Sequence, residues 1–315
     1  MEQRAFITCN KNLKNVLDTA RKIAVSDINV LITGENGVGK NALAQLIHSQ
    51  SNRNKGPYVA VNCLALPESL IESALFGHVK GAFTDAKAAK KGSFEQAENG
   101  TLFLEEIGDI TLAAQGKLLK AIEDKQFYRV GGENVFQSNA RIISATNHDL
   151  EEGIQQRVFR EDLFFRLKEV HFEIPPLRDR KEDIPLLLDH YLELFCLEQN
   201  KKKMRISNAA FGLLLNHDWP GNVRELRNAV RTAVILNDKD ELWIENFPFS
   251  LQLKPDVACG ENEENDVFLN TAIKRHIAIV LRAVGHNKSD AAKRLGISRP
   301  RLDRYIKSLY ITFPH

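Results

Sequence analysis

INVLITGENGVGKNALAQLIHSQ, residues 28–50, is the stretch from which the rest of the chain can be read. INVLIT is an apolar run ending at Gly34, with the character of a buried strand, and the residues after Lys40 recur at helical spacing. Between them lie Gly34, Glu35, Asn36, Gly37, Val38, Gly39, Lys40 and Asn41. The glycines let the backbone turn its N–H groups toward one point, and the helix N-terminus and Lys40 add positive potential. A G-x4-G-K spacing between strand and helix therefore predicts a phosphate-binding loop. Asn41 stands where such loops commonly place a Ser or Thr hydroxyl on magnesium, and an amide oxygen is the poorer ligand.

Outward from this loop, Leu13, Val16, Leu17, Ala20, Ile23 and Ala24 recur at helical spacing upstream. Downstream, YVAVN (58–62), TLFLEEI (101–107), ARIISATN (140–147) and EVHFEI (169–174) alternate with helix-like segments such as 41–50 and 110–124. Strands alternating with helices predict an α/β fold, a mostly parallel sheet with helices on both faces. TLFLEEI delivers Glu105 and Glu106 to the C-terminal edge of that sheet, where one carboxylate suits a hydrated Mg2+ and the other suits the orientation of a water. After Pro175-Pro176 the pattern turns helical over 183–199, 207–217 and 221–237, with no good strand. The expected organisation is a nucleotide-binding α/β part over 1–174, a helical lid over 175–250, a polar linker over 251–266 and a small all-α domain over 267–315.

Charge separates the last part from the rest. The whole chain of 315 residues carries a formal net charge of +2, yet residues 267–315 set ten Lys/Arg against Asp290 and Asp303. Such a segment wants an anionic partner. Asn287 to Asp290 can cap a short helix through Ala291, Ala292 and Leu295, Gly296 supplies a turn, and Ser298 can cap a second helix. That second helix tolerates Pro300 in its first turn and offers Arg299, Arg301, Arg304 and Lys307 on one side, with Leu302 and Ile306 turned to the core. A helix-turn-helix contacting DNA is the expectation, with Ser298, Arg299, Arg301, Arg304 and Lys307 as the contact residues. No stretch approaches the roughly 18 to 20 apolar residues of a membrane span, no apolar signal core opens the chain, and Cys9, Cys63, Cys196 and Cys259 are scattered. These features predict a cytoplasmic protein with reduced thiols and no membrane partner.

Many separate motifs now occur in a fixed order: LITGENGVGK (31–40), VAVNC (59–63), ESALFGHVKGAFTDA (72–86), GTLFLEEIGD (100–109), RIISATNHDL (141–150), FREDLFFRL (159–167), IPPLRDRKEDI (174–184) and WPGNVRELRN (219–228). With the C-terminal helix-turn-helix of the Fis kind, the chain resembles the AAA+ activators of sigma-54 RNA polymerase, the bacterial enhancer-binding proteins, from about residue 6 to 315. The resemblance implies a homo-oligomeric ring, usually a hexamer, that binds upstream DNA. In it ATP hydrolysis drives the surface loop Gly81, Ala82, Phe83, Thr84, Asp85 and Ala86 against sigma-54 polymerase.

By the same resemblance Lys40 holds the β/γ-phosphates, Glu106 polarises the attacking water and Asn62 is the switch residue that holds that glutamate. Asn147 matches sensor I, Arg160 and Arg166 match the fingers that reach into a neighbour's site, and Arg224 matches sensor II in the lid. Three positions depart from the family pattern: Asp85 replaces a glycine in GAFTGA, Glu105 replaces an aspartate, and Asn41 stands where many members carry Glu. Two readings follow. One is a motor that remodels sigma-54 polymerase; the other is a DNA-binding regulator that uses the AAA+ scaffold for nucleotide-dependent assembly only. A DNA-remodelling or replication-loading ATPase shares the phosphate loop and the basic tail, but the 81–86 loop argues against it. Residues 1–27 are too few to fold as a sensing domain, so regulation is expected in trans.

Overall fold

The apolar runs become strands because both of their faces are covered. In a computed structural model the protein is described over residues 6–84 and 86–247 (side chains of 68 and 69 excepted), and then at residues 277, 280, 281, 288–294, 297–299, 302, 303 and 306. Helix α1 (Lys11–Ala24) starts where the Asn10 side chain accepts from Leu13 N, and it buries Leu13, Leu17, Ala20 and Ala24. Strand β1 (Val30–Thr33), α2 (Lys40–Ser49) and β2 (Tyr58–Asn62) follow, then α3 (Glu68–Phe76), α4 (Ser93–Gln96), β3 (Thr101–Glu105) and α5 (Leu112–Glu123). A hairpin of β4 (Gln126–Tyr128) and β5 (Val135–Gln137) precedes β6 (Arg141–Thr146), α6 (Leu150–Gln155), α7 (Glu161–Leu167) and β7 (Val170–Glu173).

Five of these strands form one parallel sheet in the order β2-β3-β6-β1-β7. Side chains alternate across it, as a period of two demands. Val30, Ile32, Phe103 and Ile143 join the core beneath α1 and α2, while Leu31, Leu102, Leu104 and Ile142 join the core beneath α5 and α7. All five runs read as strands are the strands of this sheet, and the α/β architecture is as expected. The β4-β5 hairpin was not anticipated. Its strands have three residues each, too few for an alternation to register.

The lid is built from α8 (Ile184–Glu198), α9 (Asn208–Asn216) and α10 (Asn222–Leu236), packed around Trp219, Leu188, Leu214, Leu226 and Val230. One expectation is corrected here, because the stretch after residue 175 does contain strand. Strands β8 (Arg205–Ile206) and β9 (Glu241–Leu242) pair in parallel, and two residues apiece leave no periodic trace in sequence.

The chain separates into two units, 1–254 and 255–315. In the second unit, α11 (Lys288–Arg294) buries Ala291 and Ala292 with Ile277, Leu281 and Leu302, and Ile306 packs against them. Ile297 N donates to Ala292 O and Leu302 N to Ser298 O, so the chain turns after α11 and starts a helical bond at Ser298. The small residues of the first helix and the inward Leu302 are as a helix-turn-helix requires. The 251–266 linker lies outside the described residues.

Buried His48 ties the sheet to α2: its Nδ1 pairs with Thr101 Oγ1 at 2.9 Å and its ring lies 5.1 Å from Tyr58. Burial, and secondly the nearby Arg141, hold this imidazole below its ordinary value of 6.5. The unfolded chain therefore takes up a proton there that the folded chain refuses, and stability falls as pH drops below about 6.5. Melting curves between pH 7.5 and 5.5 should show this slope, and His48→Gln should flatten it.

Candidate nucleotide-binding site

The phosphate loop sits where the sheet's order reverses. From β1 the chain crosses to β2 at the far edge, while β7 flanks β1 on the other side, so a crevice opens beyond the carboxyl ends of the strands. Gly34, Gly37 and Gly39 all have positive φ, at 144°, 82° and 116°. At Gly37 the close approach of the lid adds a second demand, since a Cβ there would lie 2.3 Å from Gly221 O. Gly39 caps α2 without a side-chain bond, leaving the first-turn N–H groups to an external acceptor.

Lys40 is buried in this cradle. Its Nζ donates to Gly34 O at 2.7 Å and lies 3.4 Å from Glu106 Oε1. Burial is the main cause that holds its ammonium below the ordinary lysine value, against the pull of Glu106, and Arg224 adds to the lowering. A desolvated cation beside the uncapped N–H groups of a helix start is matched to phosphate. Glu106 reaches it through backbone strain, with φ 52° and ψ 53°, a left-handed conformation costing a non-glycine residue about 1–2 kcal/mol. That turn swings the carboxylate off the end of β3, toward Lys40 and the backbone N of Asn147, which donates to Glu106 Oε2 at 3.1 Å. Glu105 ends β3 beside it, in register with Asn62, and its charge acts on Lys40.

The structure thus gathers Lys40, Glu105, Glu106 and Asn147 around the loop, with Asn41 exposed on the first turn of α2. Arg224 joins from the lid, its Cβ 3.0 Å from where a Cβ on Gly37 would stand. Asn62 does not hold Glu106 here, because its amide oxygen accepts from Ala65 N at 3.0 Å. Arg160 and Arg166 stand apart from these groups. Arg160, half exposed at the start of α7, makes a two-bond pair with Asp162 at 3.0 and 2.7 Å. Arg166 pairs with Glu169 at 3.4 Å, and its carbonyl accepts from Asn29, which precedes β1 at the amino ends of the strands, away from the phosphate loop.

Several residues at the loop were not anticipated. Asn222, fully buried with φ 52°, donates to Glu35 Oε2 at 3.1 Å and to Asn36 O at 3.0 Å, while its own oxygen accepts from Leu177 N. Arg178 makes a two-bond pair with Glu35, which with the Asn222 bond holds that carboxyl below its ordinary value. Their signal in sequence is only that WPGN and PPLRDR are dense in turn formers and arginine.

The loop at 81–86 is a closed turn, with Gly81 N donating to Ala86 O and Ala86 N to Phe83 O, both at 2.9 Å. Phe83 is half-buried, edge-on to His78 at 5.0 Å, and Thr84 is exposed. Ala82 presses on Gly131 of the β4-β5 turn, where a Cβ would come within 2.9 Å of it. Asp85 lies outside the described residues. In the second unit Ser298 and Arg299 are exposed, with Arg299 donating to Ser289 Oγ at 3.2 Å. Arg301, Arg304 and Lys307 lie outside the described residues.

No helix among the described residues is long and apolar enough to cross a membrane. The chain matches the Sigma-54 interaction domain over residues 6–173, the AAA+ ATPase lid domain over 178–263 and the Bacterial regulatory protein, Fis family, over 274–308. It is 44% identical over 304 residues to the Regulatory protein AtoC of Escherichia coli (strain K12), covering 94% of this chain and 66% of AtoC. The Transcriptional regulatory protein ZraR of the same strain is 41% identical over 291 residues, covering 92% of this chain and 65% of ZraR. The chain thus spans about two thirds of the length of these relatives.

Among solved structures it is similar to NtrX from Brucella abortus in complex with ADP, with a TM-score of 0.74 and 32% identity across 98% of this chain and 70% of that one. The same protein in complex with ATP gives 0.74 and 32% across 97% and 70%. A domain match over more than half of the chain, with relatives above 40% identity along nearly all of it, makes this chain a member of the sigma-54 interaction domain family.

Proposed function

We propose that the chain is an ATP-hydrolysing transcription regulator that acts on sigma-54 RNA polymerase as a ring of six identical copies. The observation that carries this is the placement of the Glu106 carboxylate between Lys40 and the Asn147 backbone at the mouth of the phosphate loop. Lys40 and the loop N–H groups bind the phosphates, and ATP supplies the phosphoryl group whose transfer to water does the work. Glu106 orients that water, Asn147 steadies Glu106, and Arg224 reports nucleotide to the lid. Asn62, at the end of the neighbouring strand, takes Glu106 in the alternative state once its bond to Ala65 is given up.

Magnesium, when bound with the nucleotide, would be held by Glu105 through water, and would offset negative charge on the phosphates. Arg160 and Arg166, which pair with Asp162 and Glu169 apart from their own phosphate loop, act on the site of a neighbour. Residues 81–86 form the surface offered to sigma-54 polymerase, and residues 267–315 bind upstream DNA through Ser298, Arg299, Arg301, Arg304 and Lys307. The parts are 1–174, 175–250, a linker at 251–266 and 267–315.

The test is ATP turnover per chain against protein concentration, with magnesium. Turnover should rise with concentration, and Glu106→Gln should lower it about a hundredfold or more while ADP affinity stays near that of wild type. Bound ATP without turnover at any concentration would overturn the motor and leave a DNA-binding regulator assembled by nucleotide.

A further inference from the structure

The phosphate loop is tied on one side to a short segment that also holds the start of the described chain. Asp183 is fully buried just before α8, and its carboxylate collects four groups. Thr8 Oγ1 donates, shared between its two oxygens at 2.9 and 2.8 Å, Cys9 N donates at 2.6 Å and Asn10 N at 3.0 Å. The fourth is Arg180, 1% exposed, whose Nη1 lies 3.5 Å away. From the same guanidinium, Nη2 donates to Val38 O at 2.7 Å, inside the phosphate loop. Phe6 and Ile7 complete the attachment, the Phe6 ring lying 3.3 Å from where a Cβ on Gly39 would stand and Ile7 packing on the lid core.

Each member of this chain of contacts fixes the next. A buried carboxylate with four donors on it has one arrangement, and the guanidinium beside it is fixed by that arrangement. A guanidinium fixed on the Val38 carbonyl orients the peptide plane that joins Val38 to Gly39. That plane carries the Gly39 N–H and belongs to Gly37-Val38-Gly39, the turn that aims N–H groups at a phosphate. We propose that Thr8, Asp183 and Arg180 are positioning residues for the nucleotide loop, so that docking of residues 8–10 on Asp183 sets how tightly the loop holds phosphate. Anything that pulls on or binds residues 6–10 then alters nucleotide affinity without touching the nucleotide. This rests on the nucleotide reading given above.

Equilibrium titration of a fluorescent ADP analogue, well below the melting midpoint, tests it. Thr8→Val keeps the side-chain volume and removes the donor, and should weaken binding about fivefold to tenfold, with Thr8→Ser restoring it. Arg180→Lys, which keeps charge but loses the planar fork, should also weaken binding. Ser207→Ala removes the cap of α9, far from the loop in sequence, and serves as the control for stability alone. Wild-type affinity in Thr8→Val, or equal weakening in Ser207→Ala at a matched melting temperature, overturns the relay. If wild type binds no better than Lys40→Ala, the nucleotide reading itself falls, and the relay with it.

Discussion

Arg160→Ala should lower ATP turnover about a thousandfold or more while leaving ATP affinity nearly unchanged, and mixing it with Glu106→Gln should restore part of the activity. The loss follows from where Arg160 sits. Nothing ties it to Lys40 or Glu106 of its own chain, and its pair with Asp162 is exposed, so the guanidinium can be released to a neighbour at little cost. A guanidinium reaching in from another copy meets charge as it develops on the transferred phosphoryl group, and so acts on turnover more than on binding. In a mixed ring, a site with an intact Glu106 on an Arg160→Ala copy can face a Glu106→Gln copy that still owns Arg160. That pairing works, and neither variant alone can form it. Steady-state turnover of the two variants, separate and mixed, decides the matter: a mixture as inactive as its parts would place Arg160 outside any shared site.

Trp219→Ala should cost about 3–5 kcal/mol of stability. Trp219 is fully buried at the centre of the lid core, its Nε1 donates to Leu214 O at 2.9 Å and its ring stands edge-on to His217 at 4.7 Å. Its carbonyl accepts from Asn222 N at 2.7 Å, and Asn222 in turn holds Glu35 and Asn36. The melting midpoint should fall on the order of 10 °C. ADP should bind more weakly even where the variant is still folded, because the lost ring removes the support of the Asn222 turn. Unfolding followed by circular dichroism, with ADP titration at a temperature where both proteins are folded, separates the two effects. Unchanged affinity would mean that Asn222 keeps its geometry without the ring beneath it.

What could be read from the sequence depended on how local each feature is. The five core strands were legible because a parallel sheet buried on both faces writes continuous apolar runs. The phosphate loop and the Glu105-Glu106 pair were legible because each is one contiguous turn or strand end. By contrast, Asn222 meets Glu35 across 187 positions and Thr8 meets Asp183 across 175, and no local pattern encodes such meetings. The hairpin at 126–137 escaped notice for another reason: its three-residue strands turn one Phe each, Phe127 and Phe136, toward the core and expose Tyr128 and Val135, too short a pattern to register as an alternation. Asn62 was assigned from its motif alone. Its bond to Ala65 shows that a motif fixes a residue's place but not its partner in a given state.

The lid grips the phosphate loop through Asn222 and Arg178 on one side and Arg180 on the other. Any free energy that nucleotide contributes to holding the lid must therefore appear, equal in size, as free energy that the lid contributes to holding nucleotide. A neighbouring copy or another protein that seizes the lid and favours one of its positions would change ATP affinity by the same factor that ATP changes the grip of that partner. Nucleotide affinity and assembly would then be two readings of a single coupling constant, measurable from either end.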